Sequence, residues 1–391
     1  MNYDQAETLL DEMLAPLPSR DFFADIGRAW REVKAGNDNP RRFLLGEDPK
    51  HTILEAYRTH AETLDCHSIT ATQPPPPVRP ASSAEDFEEL IGSFHDRDYT
   101  VRVPDVTGLT PQLERFGRAL EYILHQPVGS SVFWSRAGGK AVVHYDNRDN
   151  IIIQLEGRKR WFVSTEPPGL QNNWKQVGEP LPNVQQHRAV DVGPGDLIYI
   201  PRGTPHTVES TTESLHLSLL FVPLTLREAI IAALDYASDF ERPFRETVVN
   251  RPGLDSLEEL PGQVSAGLSR LVELSRSPDF VTNAMRHRSS RVIADLPPLE
   301  KQAGAAAVSV DMRVRHSPVA VAHLRHSGSV LDFSLPGGHI AIHPGVEREL
   351  EFIAATPEFR VGDLPGAAGD DVKVALVNRL VAAGFLEPAT D

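Results

Sequence analysis

The sequence predicts an α+β fold centred on a two-sheet barrel of the jelly-roll type, a double-stranded β-helix, with helical segments before and after it. Three observations predict it. Between Ser131 and Pro223, eight short alternating strands succeed one another with turn residues between them. On both sides of this stretch the apolar residues recur at helical spacing instead. The last hundred residues return to short strands and close with two helices and an apolar stub, the order of a winged helix-turn-helix.

At 391 residues the chain has room for two or three domains. The boundaries read as 1–82 for an N-terminal helical segment with a Pro-rich linker, 83–223 for the barrel, 224–300 for a helical domain and 301–391 for the winged-helix-like end. Hydrophobic residues make up 40% and charged residues 24%, the balance of an ordinary globular protein. No run approaches the roughly 20 apolar residues that a membrane span needs. The first segment, MNYDQAETLLDEMLAPL, is acidic and amphipathic, unlike a secretory or transit peptide. Cys66 is the only cysteine, which precludes an internal disulfide and suits a reducing cytoplasm. A net charge of −15 argues against a general nucleic-acid binder and leaves a surface that attracts basic partners.

Taken in order, residues 1–65 read as helical, with Leu9, Leu10, Met13 and Leu14 on one face and AWREVKAG ending at a Gly36 C-cap. QPPPPVRPASS (73–83) lacks backbone donors and reads as an extended strap. SAEDFEELIGSF opens with Ser83 as N-cap and Asp86 three residues later. YTVRVPDV alternates as a strand, and LTPQLERFGRALEYIL is an amphipathic helix with Pro111 in its first turn. The eight barrel strands are SVFWSRA, KAVVHYD, NIIIQLEG, KRWFVST, AVDVG, DLIYIP, HTVES and SLHLSLLFV. NIIIQLEGRKRWFVS reads as two antiparallel strands joined at Glu156-Gly157. LTLREAIIAALDYASDF and LEELPGQVSAGLSRLVELSR are the helices after the barrel. SVDMRVRH, VAVAHLRH, SVLDFSLP and HIAIHP are strands before the closing helices ERELEFIAAT and DDVKVALVNRLVAAGF. The last of these is too acidic and apolar for a DNA-recognition helix, which favours a protein-packing role.

Two patterns carry the chemistry. The first is Gly138, then His144-Tyr145-Asp146, Asn150 and Gly157; the second runs Gly195, Pro201, His206. On a strand His144 and Asp146 share one side and Tyr145 takes the other, while His206 must arrive from a partner strand. Two imidazoles and one carboxylate form the ligand set that leaves three positions open on Fe(II). A lone H-x-D is common by chance; its company of fixed glycine, asparagine and proline positions on a strand-rich background is not.

GGKAVVHYDNRDNIIIQLEGRKRW and VGPGDLIYIPRGTPHTVES resemble the signature segments of the JmjC-type cupin 2-oxoglutarate oxygenases, in particular the asparaginyl hydroxylase and bacterial ribosomal-protein hydroxylase branches. The resemblance covers about 95 residues, and the flanks match in architecture alone. It implies His144, Asp146 and His206 as Fe(II) ligands, with 2-oxoglutarate and O2 as cosubstrates. Lys159, thirteen residues after Asp146, stands where the family pairs a basic residue with the distal carboxylate of 2-oxoglutarate, and Asn150 matches an asparagine beside the metal. Arg158 and Arg160 should face away from Lys159. The chain departs from the asparaginyl hydroxylase pattern at Ala141 and Leu220, so Ser218 and His216 become candidates for the missing cosubstrate bonds, and His216 also for an extra iron ligand. Tyr145, Trp134, Trp161 and Phe133 fit barrel packing better than substrate stacking.

The implied reaction is hydroxylation of a C–H bond of a protein or peptide side chain, with release of succinate and CO2. A free amino acid or natural-product intermediate is the alternative substrate, N-methyl-lysine demethylation ranks third, and a non-catalytic cupin binding module or a zinc-type cupin is the rival from another class. The helices at 224–290 resemble a dimerisation module and imply a homodimer; neither nucleic acid nor membrane is expected as a partner.

Overall fold

The computed structural model describes residues 1–35, 39–170, 186–247, 260–300 and 308–389; Gly36 lies outside them. Chain contacts divide the protein into two units, residues 3–223 and residues 224–391 with residues 1–2.

Among its described residues the first unit holds ten strands: β1 (Arg31–Val33), β2 (Asp65–His67), β3 (Thr100–Pro104), β4 (Gly129–Ser135), β5 (Asp149–Glu156), β6 (Lys159–Ser164), β7 (His187–Val192), β8 (Leu197–Ile200), β9 (His206–Ser210) and β10 (Ser214–Phe221). They form a seven-stranded sheet in the order β1-β8-β5-β10-β4-β3-β2 and a three-stranded sheet in the order β7-β6-β9. The predicted strand KAVVHYD runs alongside β9 without forming a continuous ladder. It is fastened at two bridges, Lys140 with Glu209 and His144 with His206. With that segment the eight expected strands make a double-stranded β-helix, four to each face.

Two expectations need correction. Glu156-Gly157 does join β5 to β6, but the two strands do not pair with each other. β5 lies between β8 and β10, and β6 between β7 and β9, so the turn carries the chain from one sheet to the other. Gly157 makes this possible: its φ is +65°, and a Cβ there would meet the Glu213 carbonyl oxygen at 1.9 Å. Residues 1–65 are not helical throughout either. Arg31–Val33 pairs antiparallel with β8 and Asp65–His67 with β3, so the N-terminal segment supplies both edges of the large sheet. An open sheet edge outweighs a weak helical pattern because it offers partners for every backbone group.

The helices of this unit are α1 (Tyr3–Leu14), α2 (Ser19–Ala24), α3 (Pro49–Glu55), α4 (Tyr57–His60), α5 (Ala84–His95) and α6 (Pro111–Leu124). α5 starts where the Ser83 hydroxyl accepts from the Asp86 amide, and it buries Phe87, Leu90, Ile91 and Phe94. α6 starts at Thr110, whose hydroxyl accepts from the Leu113 amide, and stops at His125 in the left-handed region. Arg41, wholly buried, ties the N-terminal segment together. Its guanidinium donates to the carbonyls of Met13 (2.8 Å), Ala15 (2.9 Å), Val33 (3.2 Å) and Gly195.

Among the described residues of the second unit, α7 (Leu226–Phe240), α8 (Leu260–Ser275) and α9 (Pro278–Asp295) precede six short strands and two helices. β11 (Arg313–His316) pairs with β15 (Glu358–Arg360) and β16 (Leu386–Pro388); β12 (His323–Ser327), β13 (Val330–Leu335) and β14 (Gly338–Ile342) form a meander. α10 (Glu347–Ala355) and α11 (Asp370–Ala382) cover a core built on Leu331, Phe333, Leu350, Leu380 and Phe385. α9, which the sequence reading did not separate, begins at Pro278 behind a Ser277 cap. Among the described residues no helix is long and apolar enough to cross a membrane.

Candidate active site

His144 and His206 face each other across the bridge that fastens the KAVVHYD segment to β9, their amides and carbonyls exchanging bonds of 3.0 and 2.7 Å. The register puts the rings 4.3 Å apart between centroids. Asp146 closes the group: its carboxylate oxygens stand 3.9 Å from His144 Nε2 and 3.8 Å from His206 Nε2. Ligand atoms of all three lie within 4.8 Å of one another, and among the described residues no other such group occurs.

Each imidazole is oriented by the carbonyl two residues before it. His144 Nδ1 lies 2.8 Å from the Val142 oxygen, and His206 Nδ1 lies 2.9 Å from the Thr204 oxygen. An Nδ1–H donated to a carbonyl leaves Nε2 as the free lone pair, the tautomer a metal ligand needs. Burial holds His206 neutral, its pKa pushed down to about 4, with His144 adding to the fall. Asn150, at the start of β5, offers its amide nitrogen to Asp146 at 3.5 Å, and its buried carbonyl oxygen has no partner among the described residues.

These residues line a cavity of about 560 Å³ between the two sheets. Lys159 reaches it from β6, 2% exposed, donating to the Ser135 hydroxyl at 3.0 Å. No carboxylate pairs with its amine among the described residues, and desolvation pushes the pKa down to about 7. A buried cation with one hydroxyl for company is a receptor for an anion. Arg160 points the other way and grips Asp191 with two bonds, as strand alternation requires.

His216 and Ser218, on β10, are buried and line the same cavity. His216 stacks on Phe133 (4.9 Å) and meets Trp161 edge-on (5.6 Å). Desolvation holds it neutral, and it falls outside the three-residue ligand group. Ala141 and Leu220 add apolar wall. Trp134 and Tyr145 do not line the cavity, but Phe133 and Trp161 do, so their role extends past barrel packing.

Among the cavity residues that the sequence did not single out are Ser135, His67 and Arg102. Ser135, on β4, is the hydrogen-bond partner of Lys159; its alternation with Phe133 and Ser131 was a usable signal. His67, on β2, and Arg102, on β3, arrive on strands whose pairing no local pattern announced. Desolvation, Lys159 and His144 together push His67 down to about 4.

Residues 108–229 match the family model described as the JmjC domain. The barrel is a JmjC domain. Over 231 residues the chain is 31% identical to ribosomal oxygenase 2 of Rattus norvegicus, spanning 56% of this chain and 48% of that protein. It is 29% identical over 224 residues to an uncharacterised Bacillus subtilis protein, YxbC, covering 50% of this chain and 64% of that one. A bifunctional lysine-specific demethylase and histidyl-hydroxylase, NO66, of Drosophila erecta is 26% identical, with 55% and 33% covered. The matched region thus spans less than two thirds of each of these relatives. The solved structure of YcfD, a ribosomal oxygenase from Escherichia coli in complex with cobalt and 2-oxoglutarate, superposes with a TM-score of 0.58 at 19% identity, covering 96% of this chain and 99% of that one. That likeness establishes the fold: a JmjC barrel followed by the helical and winged-helix-like elements of the second unit.

Proposed function

We propose that this JmjC protein is an Fe(II)- and 2-oxoglutarate-dependent oxygenase that hydroxylates a C–H bond of a protein or peptide side chain. The observation that carries the reading is that the His144–Asp146–His206 group opens into the same cavity as Lys159, a buried cation with no protein counter-ion. The donor set fits Fe(II): two neutral Nε2 lone pairs and one carboxylate. Fe(II) held by these residues would let O2 act as the oxidant, one oxygen atom going into succinate as 2-oxoglutarate loses CO2 and the other into the substrate C–H bond.

The chain's own residues bind, orient and exclude water. Lys159 and Ser135 hold the distal carboxylate, a charge-assisted contact that a buried site strengthens. Asn150 steadies Asp146, and its unpartnered carbonyl oxygen awaits a donor from the bound molecules. Phe133, Trp161 and His216 form the wall that keeps bulk water from the reacting centre. Ser218 is assigned to the cosubstrate's remaining hydrogen bonds; His216 is given a wall position rather than a place on the metal.

The names of the relatives, ribosomal oxygenases and a demethylase and hydroxylase, support a protein substrate, and the charge of −15 suits a basic one. A free amino acid is the second reading, since the cavity holds polar groups beyond those the cosubstrate needs. A homodimer is proposed from apolar residues at helical spacing on two outer faces: Leu226, Ile230 and Leu234 of α7, and Val264, Leu268 and Val272 of α8. The single cysteine, Cys66, supports a reducing, cytoplasmic setting.

The test is succinate release from 2-oxoglutarate with Fe(II), alongside a search for a 16-dalton gain in peptides and amino acids. His144→Ala should abolish both signals. Turnover that survives this substitution would remove the site from the proposal.

A further inference from the structure

Beyond the metal and cosubstrate positions, the cavity has a second charged corner that the proposed reaction leaves unused. It is built by the edge of the large sheet, where β2 pairs with β3 so that Asp65 stands opposite Arg102. Arg102 stands opposite Phe133 of β4 in turn, which carries the same row of the sheet on toward His216. The Arg102 guanidinium is fixed by Nε, which donates to the buried Ser131 hydroxyl at 3.0 Å. One terminal nitrogen stands 3.6 Å from an Asp65 carboxylate that is itself 66% exposed. The rest of the fork has no partner among the described residues.

The lining carries three cations, Arg102, Lys140 and Lys159, against two carboxylates, Asp65 and Asp146. Lys140 is paired with Glu209 at 3.3 Å, Lys159 serves the cosubstrate in the reading above, and Asp146 belongs to the metal group. Metal and cosubstrate bring opposite charges of equal size. What remains is a guanidinium anchored at one end and loosely neutralised at the other, in a protein whose surface is otherwise strongly acidic. A fork held in this manner recognises a carboxylate through two parallel bonds, and the loose Asp65 contact yields to a better-placed anion.

We propose that Arg102 is a specificity-determining residue that reads a carboxylate on the substrate, displacing Asp65 as it does so. This rests on the oxygenase reading and narrows its substrate to an acid, carried either by a peptide side chain or by a free amino acid. The same corner disfavours a substrate that brings a guanidinium or ammonium group to this position.

The full chain is tested with two matched probe pairs: N-acetylglutamate against N-acetylglutamine amide, and a pentapeptide amide with a central Glu against one with a central Gln. Binding is read by ligand-observed NMR, and the half-saturating 2-oxoglutarate concentration is measured separately from succinate release. In the natural protein the acid of at least one pair binds about tenfold or more tightly than its amide, the loss expected for one charge-assisted bond. Preference confined to the free acid identifies an amino-acid substrate, and preference in the peptide pair a side chain. Arg102→Gln brings the ratio near one, Arg102→Lys keeps part of it, and Asp65→Asn increases it by releasing the fork. Lys159→Met raises the half-saturating 2-oxoglutarate concentration and leaves the ratio standing. Equal binding of acid and amide in both pairs, or no binding of either, overturns the proposal. So does a rise in the 2-oxoglutarate requirement of Arg102→Gln that matches Lys159→Met, since Arg102 would then serve the cosubstrate. Absence of succinate release with the acid preference intact would instead overturn the oxygenase reading alone.

Discussion

Lys159 shows how much a single position decides. Its amine is driven toward neutrality by burial, which pushes its pKa down to about 7, and a bound anion would favour the charged form. The sign follows directly. Below about pH 7 the free protein presents a cation ready for the distal carboxylate; above it the amine must first gain a proton. The half-saturating 2-oxoglutarate concentration should therefore rise with pH, by close to tenfold per unit above 7. Steady-state kinetics between pH 6 and 9 checks this, and Lys159→Met should flatten the dependence while weakening the cosubstrate by about a hundredfold. A Lys159 site unrelated to cosubstrate would leave the constant level across that range.

At the scale of elements, the turn at Gly157 sets the whole barrel, because it moves the chain from the large sheet to the small one. Gly157→Ala asks for a left-handed residue and a Cβ inside the Glu213 carbonyl. A destabilisation of about 3 kcal/mol or more is expected in chemical denaturation, with a loss of soluble yield. The same scale explains what the sequence did and did not reveal. His144, Asp146 and His206 were legible because strand alternation and a few fixed turn residues place them, and both are local. Lys159 was reached through the family resemblance, by its place thirteen residues after Asp146, and not from alternation along a strand. Arg102 and His67 were not legible, because they reach the cavity on β3 and on the edge strand β2, whose pairing is set by which sheet edge is open. The helical reading of Arg31–Val33 failed for the same reason, and the β5–β6 hairpin failed because a glycine turn alone does not say which sheet the chain enters next.

Over the molecule as a whole, two features bear on integrity and assembly. Arg41 collects four carbonyls from separate parts of the barrel unit, a knot that couples α1 and β1 to the turn before β8. Arg41→Met would strand those oxygens in a dry interior, costing about 3 to 5 kcal/mol. Calorimetry should show the lower melting temperature, and limited proteolysis should cut the first forty residues sooner than in the natural protein. In the other unit, Leu268→Glu places a charge in the middle of the α8 stripe. If the natural chain is the proposed dimer, sedimentation should find the variant monomeric, while a natural chain that sediments as a monomer, or a variant that stays dimeric, would remove this stripe from the interface.

The carbonyls of Val142 and Thr204 fix both ligand imidazoles before any ion arrives. Two imidazoles and one carboxylate would leave three coordination positions open, so such a ligand set imposes little geometry on the ion and discriminates poorly by shape. Its affinities should climb the usual series from manganese through iron to cobalt, nickel and copper, with zinc also well held. On the oxygenase reading, iron would then reach the site by its availability in the surroundings, not by selection at the site. Recombinant material grown in cobalt- or zinc-rich medium should leave the cell loaded with the wrong metal, inactive, and slow to give it up without a chelator.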